Sequence, residues 1–337
     1  MDVTAQDLSY STEASRPNKR ATTSVTSHLS NAASVQDVST AANALDQDKA
    51  ILHSISAAEL AQQQGSSDEG SVDTRAGSPA TLTSAAVSSE EQTRPSELRE
   101  YSTVEEGDAG STEYRMFFSI CGASRISPWH SIPMSTQEGS VNFVCEIPKE
   151  TSAKMEVATC ELANPIKQDI KKGKLRHYPY NIHWNYGMIP QTWEDPSHTH
   201  SELMCEGDND PLDVVEIGTR PCRTGGVYQV KPLGVFAMID DGELDWKVVA
   251  ICVDDPMAHL LKDVEDVQKH LPGTLDKIHE WFRDYKIPDG KPPNKFGYDA
   301  ECKDKAFALQ VIQETHEAYL GLKSGQCKAA PKSLSLA

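Results

Sequence analysis

The chain is short of basic charge and of long apolar runs, and its first hundred residues are short of aromatics and cysteine. Its 337 residues carry 32 Lys and Arg against 50 Asp and Glu, a formal net charge of −18. A pI near 5.0 lacks the basic footprint that general nucleic-acid binding needs. It argues equally against docking on an anionic membrane. Mean hydropathy is −0.50, and no uncharged apolar run approaches the roughly 20 residues of a spanning helix. Residues 1–100 hold no Trp, Phe or Cys, and Tyr10 is their one aromatic. Such a segment buries too little apolar surface to offset the entropy of ordering it. It predicts a disordered leader over 1–110, with short helical patches around Ala41 to Gln64. The start Met1-Asp2-Val3-Thr4 is not basic and no apolar stretch follows, so a secretory signal is not expected. Arg16, Lys19, Arg20 and the Ser/Thr content fit an organelle transit peptide; Asp2, Asp7 and Glu13 do not.

Other absences narrow the chemistry. None of the eight cysteines stands in a C-x-x-C pair, so no zinc ribbon or thioredoxin-type motif is present. Reduced thiols, several in core strands, are expected. No G-x-x-x-x-G-K-S/T phosphate loop and no G-x-S-x-G nucleophile elbow occurs. His198 and His200, in the run SHTHSE, read as a solvated loop.

What is present is one well-supplied domain over 112–322, with 323–337 expected to be a disordered tail. Apolar alternation predicts strands over 141–147 and 153–159, forming a hairpin with Lys154 and Glu156 on one face. Further strands are expected at 214–217, 227–239 and 246–253, with a turn at Asp240-Asp241-Gly242 bringing Asp240 and Asp245 together. Helices come late: one from Pro256 to about Leu271, one capped by Thr274, and one from about Asp304 to Leu320 with Gly321 as its stop. The sum is an α+β domain, most simply a small closed barrel with helices against it.

The string GDNDPLD, 207–213, places Asp208, Asp210 and Asp213 within six residues. Like charges this close repel, so a cation must compensate, and hard divalent ions suit clustered oxygens. A calcium EF-hand fails: from Asp208 its fifth, sixth and twelfth positions are Leu212, Asp213 and Thr219. Asp240 and Asp245 form a second acidic group with Lys247. Glu146, Lys154 and Glu156 form a third. Arg176, Tyr285 and Lys286 are donors for phosphate oxygens, and Tyr186 adds a hydroxyl. Many carboxylates beside such donors suit phosphoryl transfer to water rather than covalent catalysis.

The strings GDNDPLDVVEIG, DDGELDWKVVAI, EIPKETSAKMEV, NYGMIPQTWEDP and FRDYKIPDGKP resemble the soluble family I inorganic pyrophosphatases, in the family's order, over about Tyr114 to Leu322. The leader YRMFF…ISPWHSIP and the variant KGKLRHYPYNIHWNYG look most like the plastid-type branch of plants and algae. The resemblance implies a five-stranded OB-like barrel with flanking helices that hydrolyses diphosphate using several Mg²⁺ ions. It implies Asp208, Asp213 and Asp245 as ligands of the ions that bind the attacking water, and Asp210 as the carboxylate that orients and deprotonates that water. Asp240 and Glu156 match ligands of ions arriving with substrate. Lys154, Arg176, Tyr285 and Lys286 match the phosphate clamp, Tyr186 and Lys247 match supporting positions, and Glu146 a pocket acid acting through water. The segment between Arg176 and Tyr186 is shorter than in fungal and animal members, and the 110-residue leader has no counterpart in the catalytic fold. Cytoplasm and plastid stroma both stay open, as do monomer and homo-oligomer. The rival functions are a catalytically silent binding module on the same barrel, and a nucleic-acid binder, which would need a basic stacking groove.

Overall fold

The computed structural model describes residues 94–122, 124–137, 139–327 and 334–337. Its centre is a ring of five strands. β3 (Val141–Ile147) lies between β6 (Asn185–Met188) and β8 (Val227–Asp240), antiparallel to both. β6 pairs antiparallel with β7 (Asp213–Glu216). β7 then runs parallel to β9 (Glu243–Cys252), and the β8–β9 hairpin closes the ring. Every residue of β3 is buried, as expected of a strand covered on both faces. The long β8 changes partners along its length, helped by a register shift between Pro232 and Gly234. Such breaks let one strand turn a barrel corner.

A second antiparallel sheet packs in front, in the order β1 (Tyr101–Glu106), β2 (Arg115–Ile120), β5 (Ile166–Gln168), β4 (Met155–Val157). Three α-helices cover the ring among the described residues: α1 (Val264–His270), α2 (Thr274–Asp284) and α3 (Lys305–Lys323). The α2 residues Leu275, Ile278, Trp281 and Phe282 join ring residues Val215, Phe236 and Val249 in one core. Val141, Phe143, Tyr228 and Val248 fill another, with Ala308, Val311 and Ile312 of α3.

Several expectations change. Strand 141–147 and residues 153–159 do not form a hairpin together: β4 pairs with β5, and β3 with β6 and β8. Alternation fixes which face is buried but not which partner is chosen. The helix expected from Pro256 is a single 3₁₀ turn, Ala258–Leu260, and α1 begins only at Val264, where Asp263 Oδ1 accepts from the Val264 amide at 2.7 Å. Gly273, at φ 76, rather than Thr274, caps α2. α3 runs past Gly321 to Lys323.

Described structure also begins earlier than residue 112. β1 falls inside the expected leader, and Glu97 Oε1 accepts from Tyr228 Oη at 3.0 Å while Oε2 pairs with Arg223 at 3.0 Å. Residues 1–93, with the remainder of that expectation, lie outside the described residues. At the other end, residues 334–337 of the expected tail are seated. Leu334 and Leu336 pack against the core of Met116, Phe118 and Trp129. The Ser335 amide donates to the Thr159 carbonyl at 2.8 Å, and the Ser335 carbonyl accepts from Asn164 Nδ2 at 3.2 Å.

At Gly187 the backbones of β6 and β3 leave no room for a side chain: an added Cβ would stand 2.0 Å from the Val144 carbonyl oxygen. That neighbour is backbone and cannot swing aside. Gly187→Ala should therefore cost about 3 kcal/mol or more of stability, at the upper end of overpacking. Urea unfolding measures this, and an unchanged midpoint would contradict the close approach.

Candidate active site

All thirteen residues singled out in the sequence line one cavity of about 640 Å³. It opens at the rim of the ring, between β4 of the front sheet and the C-terminal end of α2. The turn 207–213 delivers the first acidic group. Asp208 Oδ1 accepts from the Asp210 amide at 2.9 Å, and Asn209 takes the left-handed conformation, φ 71, that an asparagine tolerates. Asp210 then points towards Thr159, whose Oγ1 donates to Asp210 Oδ1 at 3.3 Å. Asp213 opens β7 directly opposite Lys247 of β9 in the parallel register. Asp245 lies two residues before Lys247, on the same face.

Lys247 is the pivot of this arrangement. It is 1% exposed, and its Nζ bonds Asp213 Oδ2 at 2.6 Å and also Asp245. Burial works against its charge, but Asp213 and Asp245 outweigh that and hold its pKa well above the ordinary lysine value. The Tyr186 hydroxyl donates to the same Asp213 oxygen. Burial, then Asp213, push its phenol well up, so it stays a donor. Glu146 is buried, accepts from the Val157 amide at 2.7 Å, and is raised well above the carboxylate range by burial and then by Asp213.

On the opposite wall each phosphate-type donor is parked on a carboxylate. Lys154 Nζ pairs with Glu156 at 2.6 Å, and burial of that lysine is outweighed by Glu156, so its pKa rises. Arg176 Nη1 bonds Asp169 at 2.9 Å. Tyr285 Oη donates to Asp240 Oδ2 at 3.1 Å, and Lys286 bonds the other oxygen of Asp240.

Sequence reading missed three contributors. Asp169 lines the cavity and holds Arg176; its signal was an acid two residues before the basic run that starts at Lys171. Tyr178 also lines it, packed edge-on against Trp281 and Tyr285, its phenol pushed up to about 12 by burial. Glu194 comes from the run TWED and gathers with Asp208 and Asp245, one oxygen of each lying within 4.8 Å of the others. Another buried group, Glu216 with Cys222 and Cys252, lies away from the cavity.

Eight carboxylates and five Lys or Arg side chains line the cavity, a formal surplus of three negative charges. Burial, then Asp245, Asp210 and Asp213, drive the Asp208 carboxyl well above its ordinary range. Asp245 is pushed up to about 7, chiefly by burial, with Asp213 adding to it against the pull of Lys247. Such a donor set, hard oxygens in excess over internal cations, fits divalent metal ions of the Mg²⁺ type.

Residues 143–320 match the family model described as inorganic pyrophosphatase. The chain belongs to the inorganic pyrophosphatase family. It is an enzyme that hydrolyses diphosphate, and membership implies dependence on a divalent metal. The soluble inorganic pyrophosphatase 1, chloroplastic, of Chlamydomonas reinhardtii is 64% identical over 244 residues, 72% of this chain and 86% of that relative. The soluble inorganic pyrophosphatase 6, chloroplastic, of Arabidopsis thaliana is 59% identical over 231 residues, 68% of this chain and 77% of the relative. Among solved pyrophosphatases, the N-terminally truncated vacuolar soluble enzyme of Trypanosoma cruzi, in complex with PPi, superposes with a TM-score of 0.64 at 41% identity, covering 74% of this chain and 100% of that one. The expected α+β pyrophosphatase fold is present as a near-closed five-strand ring with three α-helices among the described residues. No described helix is long and apolar enough to cross a membrane.

The raised carboxyls set a pH dependence. A carboxyl whose folded pKa lies above its unfolded value binds protons better in the folded state, so its contribution to stability falls as pH rises from about 4 towards 7. A divalent cation held by those oxygens would have to displace the protons first. The rise in Tm on exchanging EDTA for Mg²⁺ should therefore be small at pH 5 and grow through pH 7. Calorimetric melts at both pH values test this; an increment independent of pH would contradict the raised carboxyls.

Proposed function

We propose that the cavity hydrolyses diphosphate by direct attack of a water molecule, with no phosphorylated enzyme intermediate. The observation that carries this reading is the pairing on the cavity wall. Each donor suited to phosphate rests on a carboxylate: Lys154 on Glu156, Arg176 on Asp169, Tyr285 and Lys286 on Asp240. With substrate bound, Glu156 and Asp240 would be free to hold cations, while Lys154, Arg176, Tyr285 and Lys286 would turn to phosphate oxygens. For Glu156 and Asp240 such an exchange would replace one partner by another, which avoids the cost of a lone buried ion.

Asp208, Asp213 and Asp245 would hold the cations nearest the attacking water, and Asp240 and Glu156 those that accompany diphosphate. Bound Mg²⁺ would supply charge neutralisation for the leaving phosphate and bring the pKa of a water from ~15.7 towards neutrality. Asp210, fixed by its own turn and by Thr159, orients that water and accepts its proton. Lys154, Arg176, Tyr285 and Lys286 bind the phosphate groups and stabilise charge on the leaving one. Tyr186 and Lys247 hold Asp213 in place, and Glu146 keeps the β4 backbone at Val157 in register with the cavity. The chloroplastic relatives favour the plastid stroma over the cytoplasm, which a fluorescent fusion of the full chain would test.

Two outcomes are expected. Orthophosphate release from diphosphate by the full chain should need Mg²⁺ and stop with EDTA. Asp210→Asn should keep the fold and the Mg²⁺-induced rise in Tm while losing roughly 10²–10⁴ in turnover, the range of a positioned general base. An unchanged rate would remove Asp210 from the mechanism.

A further inference from the structure

The loop between β4 and β5, residues 158–165, carries Thr159, whose hydroxyl donates to Asp210 from the cavity wall. The loop is folded tightly on itself. The Ala158 amide donates to the Pro165 carbonyl at 2.9 Å, and the Thr159 amide to the Val157 carbonyl at 3.0 Å. Ala163 and Asn164 both take left-handed backbone, φ 59 and φ 41, a conformation that persists for an alanine only where the surroundings hold it. Asn164 does much of that holding. It is 0% exposed, and its Oδ1 accepts from Ser127 Oγ at 2.6 Å. Its Nδ2 reaches the loop carbonyls of Ala158, Thr159 and Glu161 at 3.3, 3.1 and 3.1 Å.

A fourth carbonyl on that nitrogen comes from outside the loop, from Ser335 at 3.2 Å. The Ser335 amide donates in return to the Thr159 carbonyl at 2.8 Å. Residues 334–337 therefore grip the loop at two points, and they are anchored from elsewhere. His130 Nε2 donates to the Ser335 carbonyl at 3.0 Å, and Lys323 Nζ to the Leu336 carbonyl at 2.6 Å. Leu334 and Leu336, flanking Ser335, pack on the core of Met116, Phe118 and Trp129. Covering that core would require only the two leucines. The hydrogen bonds between them fall instead on the one loop that presents a hydroxyl to Asp210. At 3.3 Å the Thr159–Asp210 bond is long for an O–H···O contact, so a small drift of Thr159 breaks it.

We propose that residues 334–337 position the general base: Ser335 clamps the Thr159 carbonyl, and the Thr159 hydroxyl thereby aims Asp210 at the attacking water. Ser335 and Thr159 are positioning residues that act through Asp210, so this rests on the reading of Asp210 as the base. The competing role is a cover for the apolar core, which contributes stability and leaves the chemistry alone.

The test measures kcat and KM for orthophosphate release from diphosphate by the full chain at saturating Mg²⁺, with Tm beside them. Ser335→Pro removes the amide N–H that bonds Thr159. It is expected to lower kcat about tenfold with KM within about threefold of the parent, since misplacing a reacting group costs rate while the phosphate donors stay untouched. Thr159→Val should lower kcat by a similar factor, and Thr159→Ser, which keeps the hydroxyl, should recover most of the loss. Because Ser335 acts through Thr159, adding Ser335→Pro to Thr159→Val should lower kcat by less than about a further twofold. A kcat for Ser335→Pro within about twofold of the parent would overturn the proposal, whatever its Tm, as would losses that multiply in the double variant. Should Ser335→Pro fail to fold, a chain ending at Ser333 takes its place under the same criteria; failure of both to fold makes the segment a structural cover and overturns the proposal. Asp210→Asn is the control for the underlying reading. If it turns over like the parent, that reading falls and the proposal with it; if it is slow while Ser335→Pro is not, the proposal falls alone.

Discussion

Lys247, buried between Asp213 and Asp245, is the interaction on which the rest of the site depends. The parallel pairing of β7 and β9 sets Asp213 opposite Lys247, and strand periodicity then brings Asp245 to the same face. Removing either partner of such a buried pair leaves an uncompensated charge, whereas the intact set is tolerated. One lysine cannot neutralise Asp208, Asp210, Asp213, Asp245 and Glu194 together. The surplus suits external divalent cations, and the ring strands keep it from relaxing apart. The apolar core beneath α2, with Phe282 and Trp281 against Tyr186 and Tyr178, makes the surplus more forceful by excluding water from one side.

How much of this could be read from the sequence follows from what is local. Asp208, Asp210 and Asp213 share one turn, Asp245 and Lys247 one strand, Tyr285 and Lys286 one helix end. Their proximity is written into spacing, and family strings supplied the links between groups. Glu194 was not legible, because TWED becomes acidic-site chemistry only through backbone bonds to a turn some fifteen residues on. Asp169 was hidden for a similar reason: its partner Arg176 lies across a short hairpin. The partners of β3 and β4 were likewise undetermined, since alternation marks the face a strand buries and leaves its neighbour open. The break before α1 came from Asp263, whose side chain offers the backbone a cap where periodicity alone suggested continuous helix. The ends of the domain were underestimated. Composition around β1 and 334–337 looks like a tail, yet a few contacts, Glu97 with Arg223 and Tyr228, Ser335 with Thr159 and Asn164, are enough to seat them.

The cavity's charge pattern also separates this domain from others built on closed strand rings. A groove for single-stranded nucleic acid presents unpaired basic side chains to the backbone and aromatic rings to the bases. Here every basic side chain of the wall is already engaged with an acid, and the aromatic rings Tyr178, Trp281 and Tyr285 pack on one another. The wall is therefore suited to a small polyanion that brings cations with it.

The parallel seam between β7 and β9 has a consequence for the order of folding events. The β8–β9 hairpin is local in sequence, whereas the seam joins residues more than thirty positions apart and closes the ring. Asp208 and Asp213 lie on one side of that seam and Asp245 on the other, so the acidic corner does not exist until closure is complete. An ion that binds the corner has little to grip in the transition state for folding. By the partition of rates for contacts formed late, bound cation should lengthen the lifetime of the closed ring while leaving the rate of closure nearly untouched. Stopped-flow refolding and unfolding, each with and without Mg²⁺, would read the two rates separately.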